Sequence, residues 1–378
     1  MKQQTKIKTK EVSGSFKLPL KLAMEFIVQD ALKAAATKKE DDLLVGSANI
    51  KVIGVGGAGI NMADWLYNKG VKGAEIIAVN TDKLHLDNRN ADKKILIGRE
   101  LTRGLGCGGM PEKGHEAAKE NISEIKEALR GADMVFVCAG MGGGTGTGAA
   151  PVVAQVAKEN GSIVIGVVTM PWSIEKARID KAEFGLKQLR QVADTVVVID
   201  NNRLSDIAGN LPIQQSFAVA NEIVATMIKS IVEIIAVPSL INLDYADVKA
   251  IMTNGGVSVI GFGESDTENR VEESVHRALA NPLLDVKYDG ATGAIIHITG
   301  GPDMTLDEAE KIGELITASM DPDANVIWGA RIDPKMTGKI RVMTIIAGVK
   351  SPYVIGKPTY SASKSAEFSK ELGLEVLR

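Results

Sequence analysis

The chain has 378 residues, a net charge of −3, 45% hydrophobic residues, 24% charged residues and only 4% aromatics. This composition predicts a soluble globular protein of two or three domains with an aliphatic core, and it supplies no general drive toward nucleic acid or acidic membranes. No apolar run reaches the ~18 residues of a membrane span, and the first residues lack the apolar centre and cleavage site of a signal peptide.

Residues 1–46 open on Lys2, Lys6, Lys8, Lys10 and Lys17. "LKLAMEFIVQDALKAAA" then spaces Leu20, Met24, Ile27 and Ala31 helically, which predicts an extension with a short docking helix. A membrane- or partner-binding helix is the sharper alternative. From residue 49 the pattern alternates. "NIKVIGVG" predicts a buried strand and is followed by a helix to about Gly70. "AEIIAVNTD" and "KKILIG" are further strands, then a glycine-rich loop and a long helix over 111–130. "DMVFVCAG" is a strand, followed by "GMGGGTGTGAAP" and a helix over 148–160. "SIVIGVVTMP" and "DTVVVIDNN" are two more strands with a helix between them. Continuous apolar strands alternating with helices predict a parallel sheet covered on both faces.

The apolar segment Gln214–Val237 predicts a long central helix closed by Pro238. Past "MTNGG", a smaller α/β unit follows: "VSVIGFGES", a helix over 268–280, "AIIHITGG", a helix over 305–319, "NVIWGARID" and "KIRVMTIIAGV". The last two strands are expected to form a hairpin. The tail from Ser351 is polar and ends in "ELGLEVLR", an apolar patch on a leash. The expected organisation is therefore an N-terminal extension (1–46), a Rossmann-like domain (47–212), a central helix (213–237), a smaller α/β domain (238–350) and a tail (351–378). Cys107 and Cys138 suit a reducing cytoplasm better than a disulfide scaffold, and His85, His115, His276 and His297 show no metal-ligand spacing.

Three glycine-rich loops follow strands in the first domain: "GVGGAGIN" (54–61), "GLGCGG" (104–109) and "GMGGGTGTGAAP" (140–151). Loops after parallel strands gather at the carboxyl edge of the sheet, where ligands bind. Glycine lets backbone N–H groups approach a phosphate, each loop leads into a helix N-terminus, and Thr145 and Thr147 add hydroxyls. Three such loops suit a polyphosphate. The first alone, Gly54-x-Gly56-x-x-Gly59 with Asp82 after the second strand, also fits a nicotinamide dehydrogenase, which leaves the other two loops unexplained. No G-x-x-x-x-G-K-[ST] of a P-loop NTPase occurs.

Glu175 and Arg178 in "TMPWSIEKAR" are candidates for a ribose and a base edge, and Asn201 and Asn202 end a strand. Phe217 and Asn221 share one helix face, suited to stacking and amide readout, with core packing as the alternative for Phe217. Asp244 and Asp247 in "NLDYADV" face one side of a first helical turn. Such a pair caps the helix and complements its dipole, and carboxylates there can also polarise a water for attack on a phosphoryl group. Their segment is expected on the far side from the phosphate loops.

Together these motifs resemble the FtsZ family of tubulin-like division GTPases. "GGGTGTG" (142–148) is its specific signature, and "GGAGIN", "NTD", "RGLGCGG", "NLDYADV" and "NGG" match in order. The resemblance covers roughly residues 48–350. "PWSIEKAR", "LINLDYADV" and "LGLEVLR" are similar to the second archaeal paralogue of the family. It implies GTP or GDP with Mg2+ and a head-to-tail homopolymer. The loop with Asn242, Asp244 and Asp247 would enter the next subunit's site, where the two aspartates position the attacking water.

Phosphate contacts fall on Gly56, Gly57, Gly108, Gly109, Gly142, Gly143, Gly144, Thr145, Gly146 and Thr147, and Asn61 is a further nucleotide-binding position. Ribose and base contacts fall on Glu175, Arg178, Asn201, Phe217 and Asn221. No residue is assigned as a metal ligand. The resemblance further implies work at a cytoplasmic division site, a membrane tether such as SepF on the terminal peptide, and a paralogue as a possible co-subunit. Three positions and one spacing depart from the commoner pattern. Cys107 replaces an alanine beside the γ-phosphate, Met110 an asparagine and Asp200 a proline, and Glu175 and Arg178 stand one residue closer than usual.

Overall fold

The computed structural model describes residues 48–349, except 237–238, 242, 255–257, 281–287, 289–290 and 319. The expected N-terminal helix and terminal peptide lie outside the described residues. The first part runs β1 (Ile50–Val55), α1 (Gly56–Asn68), β2 (Ala74–Asn80), α2 (Lys83–Asp87), β3 (Lys93–Leu96), α3 (Arg99–Thr102), α4 (Pro111–Glu120), α5 (Ile122–Ala128), β4 (Met134–Gly140), α6 (Thr145–Glu159), β5 (Ile163–Met170), α7 (Ala177–Val192), β6 (Thr195–Asp200) and α8 (Asn201–Ala208).

Its six strands form one sheet in the order β3-β2-β1-β4-β5-β6, with every adjacent pair parallel. The unbroken apolar runs have a direct cause. Successive side chains point to opposite faces, and both faces are covered. In β1, Ile50 and Val52 enter one core, whereas Ile53 and Val55 enter the other.

Helix α9 (Ile213–Ala236) is the predicted central helix. Its Val224, Ile228, Ile231 and Val232 share a single core with Phe136 and Ile165 of the first sheet and Ile295 and Ile345 of the second. Its Glu222 clamps it to α1, accepting from Trp65 Nε1 at 2.8 Å and pairing with the Lys69 ammonium.

Next come α10 (Tyr245–Asn254), β7 (Ser258–Ser265), α11 (Arg270–Leu279), β8 (Gly293–Gly300), α12 (Leu306–Thr317), β9 (Asn325–Ile332) and β10 (Ile340–Ala347). The second sheet has the order β7-β10-β8-β9.

Two expectations need correction. The last two strands do not form a hairpin. β10 lies between β7 and β8, antiparallel to both, and β9 pairs in parallel with β8. Burial explains the choice: β10 is buried at all positions but Arg341, whereas half of β9 is exposed, so β10 takes the interior slot and β9 the edge. The helix expected over 111–130 is two helices broken at Asn121. The Asn121 side chain accepts from Gly98 N at 2.8 Å, taking a bond outside the helix.

His297 of β8 is 5% exposed, and its Nε2 has no hydrogen-bond partner. Burial, with Arg331 nearby, lowers its pKa from 6.5 to about 4. The unfolded chain therefore takes up a proton near pH 6.5 that the folded chain refuses. This contribution to stability is complete above pH 6.5 and is lost as pH falls toward 4. At ~1.4 kcal/mol per unit, the loss approaches about 3 kcal/mol. Urea unfolding of a His297→Leu variant is expected to lack that share of the slope between pH 6.5 and 4.5. An identical slope in variant and parent overturns the assignment.

Candidate functional site

The order of the first sheet reverses between β1 and β4, and a ligand crevice is expected outside the carboxyl ends of strands at such a switch point. The first and third glycine loops leave β1 and β4 there. They touch: a Cβ on Gly56 would stand 2.6 Å from Gly146 N, and Gly56 has φ +72°, so only glycine fits. The second loop meets the third, since a Cβ on Gly144 would lie 2.6 Å from that of Cys107. It is fastened to the end of β2 by Lys83 N to Gly104 O (3.0 Å) and Gly106 N to Thr81 O (3.2 Å).

The glycines of the third loop divide into two groups. Gly146 and Gly148 are packing residues. A Cβ on Gly148 would meet Pro111 O of α4 at 1.9 Å, and one on Gly146 would meet Gly140 O at 2.5 Å. Gly143, with Gly109 of the second loop, has nothing within 4 Å of a Cβ. These two face open space, as a phosphate-binding backbone should. Gly57 and Gly108 have only side-chain atoms, of His85 and Met110, at 3.6 Å, and Gly142 (φ +94°) sits against Arg178 O at 2.9 Å.

Helix α6 starts at Thr145, three residues before the expected position, so the signature itself forms its first turn. Thr145 and Thr147 are buried and engaged within the protein. Thr147 Oγ1 accepts from Gly142 N at 2.9 Å. Thr145 Oγ1 lies 2.7 Å from Thr81 Oγ1, and Cys107 Sγ lies 3.4 Å from the Thr81 hydroxyl and 3.5 Å from that of Thr145. These side chains hold the loops in shape. Sequence reasoning passed over Thr81, although "NTD" displays it.

A polyphosphate fits the cradle. Helices α1, α4 and α6 all begin here without a side-chain cap, leaving first-turn N–H groups and the positive dipole ends for an anion. Asn61 Oδ1, in α1, is buried with no hydrogen-bond partner among the described residues. Burial pushes the Cys138 thiol up to about 12, and Cys138 is a core residue.

On the β5–β6 flank, Phe217 is 46% exposed, which rules out core packing. Its ring meets Trp172 edge-on, with centroids 6.5 Å apart at 72°. The two rings, with Leu204, Ala208 and Ser216, line a cavity of about 160 Å³. Trp172 was not singled out from sequence, although it neighbours the noted "SIEKAR". Asn221 lies one turn beyond Phe217 on α9. Asn201 opens α8 at the end of β6, and Asp200 accepts from Asn202 N at 2.8 Å. Arg178 Nη1 donates to Glu175 Oε2 at 2.8 Å, so the shortened spacing produces an ion pair.

Asp244 and Asp247 form a reciprocal cap. Asp247 N donates to Asp244 Oδ1 at 2.8 Å, and Asp244 N to Asp247 Oδ2 at 3.2 Å. The capping expectation therefore holds; Asn242 lies outside the described residues. Between them, Tyr245 OH donates to Asp133 O at 2.7 Å. Asp133 immediately precedes β4, and the third glycine loop follows it. The pair and the cradle thus sit at opposite ends of a seven-residue strand, about 20 Å apart.

Residues 49–209 match the family model described as "Tubulin/FtsZ family, GTPase domain", and residues 256–350 the FtsZ family C-terminal domain. A GTPase with the tubulin-like fold accounts for the switch-point cradle and the aromatic pocket together. It displaces the dehydrogenase alternative, whose acidic residue Asp82 instead caps α2 through His85 N at 3.0 Å.

The chain is 57% identical over 355 residues to "Cell division protein FtsZ 2" of Methanocaldococcus jannaschii, covering 93% of each. It is 49% identical to "Cell division protein FtsZ 1" of Archaeoglobus fulgidus, covering 90% of this chain and 97% of that one. An empty FtsZ dimer from M. jannaschii superposes with a TM-score of 0.74 at 47% identity, over 85% of this chain and 92% of that chain. A GTPγS-bound CetZ2 protofilament from Haloferax volcanii shares the fold, with a TM-score of 0.68 at 24% identity over 86% of this chain and 99% of that chain. The chain belongs to the FtsZ family.

Proposed function

We propose that this GTPase assembles head to tail and hydrolyses GTP at the contact between copies, as a filament of the cell-division machinery. The observation that carries this reading is the separation of the Asp244–Asp247 pair from the glycine cradle by the length of β4. One chain cannot bring the two together, whereas a stacked neighbour can. A repeated head-to-tail contact does not close, so it builds a filament.

The ring of the nucleotide occupies the Trp172–Phe217 pocket, with Asn221, Asn201, Glu175 and Arg178 around base and ribose. The N–H groups of Gly56, Gly57, Gly108, Gly109 and Gly142–Gly144, with the first turn of α6, hold the phosphates, and Asn61 accepts from the ligand side. The uncapped helix ends stabilise charge that develops on the transferring phosphoryl group. Asp244 and Asp247 of the adjoining copy, with Asn242 of the same loop, orient the attacking water.

Mg2+ is carried on the phosphates and its waters, as it commonly is at nucleotide sites. That ion neutralises phosphate charge when bound. The functional division follows 47–212, 213–237 and 238–350. Residues 371–378 of the tail engage a membrane tether of the SepF kind, a paralogue serves as a second subunit, and the filament works at the division site.

The test is GTP turnover against protein concentration with magnesium. Turnover per subunit is expected to be near zero below a threshold and to rise steeply above it. Removing residues 371–378 is expected to leave the threshold in place while abolishing capture of SepF. Turnover per subunit that is independent of concentration would place the whole site in one chain and sink the proposal.

A further inference from the structure

Helix α7 lies along the cradle on one face. A Cβ on Gly142 would stand 2.9 Å from Arg178 O, and one on Gly185 would stand 2.4 Å from Thr147 Cγ2. Lys181 falls between them, three residues after Arg178 and four before Gly185, and so projects from the same face. Its Nζ donates to Gly109 O at 2.7 Å. One half-buried ammonium thus reaches from α7, across the third loop, to the second. That bond uses one of three N–H donors. No carboxylate pairs with Lys181 among the described residues, whereas Arg178 is already paired with Glu175.

Sheet order places this cation along a bound nucleotide. The aromatic pocket lies on the β5–β6 flank, the second loop is fastened to the end of β2, and β4 and β1 lie between. A nucleotide with its ring in the pocket and its phosphates across the switch point directs its terminal phosphate to the second loop. Gly109 there has nothing within 4 Å of a Cβ position, and its carbonyl carries the ammonium.

We propose that Lys181 binds the terminal phosphate and makes the site prefer a nucleoside triphosphate over a diphosphate. The proposal rests on the nucleotide reading above. A lysine acts as a point cation for phosphate, and Lys181 also props the Gly109 carbonyl.

The test titrates GTPγS and GDP into the full chain and its Lys181→Gln and Lys181→Arg variants, at low and high salt. Lys181→Gln is expected to weaken GTPγS binding about 10- to 100-fold and GDP binding less than ~3-fold. The salt dependence of GTPγS binding is expected to flatten in Lys181→Gln, and Lys181→Arg is expected to retain affinity within ~3-fold, because the charge is kept. Equal losses for both nucleotides would make Lys181 a loop prop only and overturn the proposal, as would unchanged affinities. If the unaltered chain binds neither nucleotide, the proposed function itself fails.

Discussion

Replacing Asp247 by alanine is expected to lower GTP turnover by at least ~100-fold, the lower end of what a positioned acid–base group contributes. Nucleotide affinity is expected to stay within about threefold, because the pair lies at the opposite end of β4 from the cradle. The variant also loses half of the reciprocal cap of α10, at about 1 kcal/mol. Asp247→Asn separates the two effects. Its amide oxygen can still accept from Asp244 N, so the cap and the thermal midpoint persist, but the charge that orients water is gone. Both variants are expected to bind GTP, and neither to turn it over at the parental rate. Parental turnover in Asp247→Asn would remove the carboxylate from the mechanism.

Two alanine substitutions five residues apart are expected to fail in opposite ways. Gly148→Ala drives a Cβ to 1.9 Å from Pro111 O and 2.6 Å from His115 N, where backbone faces backbone and cannot yield. The expected cost is about 3 kcal/mol or more of unfolding free energy, by the overpacking argument. Gly143→Ala meets nothing within 4 Å, and the loss of stability is expected to be within ~0.5 kcal/mol. Its methyl group instead occupies the space a phosphate oxygen needs, and nucleotide affinity is expected to fall at least ~10-fold. Urea denaturation and nucleotide titration on both variants check the pair. A stable Gly148→Ala protein, or a Gly143→Ala protein with parental affinity, would show that the division of glycines into packing and binding roles is wrong.

The six strands of the first sheet were legible because each is buried on both faces, and so had to be written as an apolar run. The phosphate loops were legible because glycine repeated after a strand and before a helix has few other uses. Less could be read where one residue type serves two purposes. Gly143 and Gly148 look alike in "GGGTGTG", yet only a neighbouring helix tells them apart. Lys181 was overlooked beside Arg178, although their spacing of three was available, because nothing local marks a surface lysine as facing a glycine loop. Asp82 fitted a ribose ligand by position, yet it caps α2.

By itself the sequence determined the kinds of elements, the parallel arrangement of the first sheet, the carboxyl-edge cradle and the family, since each depends on local pattern or on covalent order. Only the tertiary structure decided that β10 displaces β9 from the interior and that Thr145 and Thr147 point inward. Those outcomes depend on which surfaces compete for burial and which groups meet across the chain. Nearest-neighbour pattern carries no information about either.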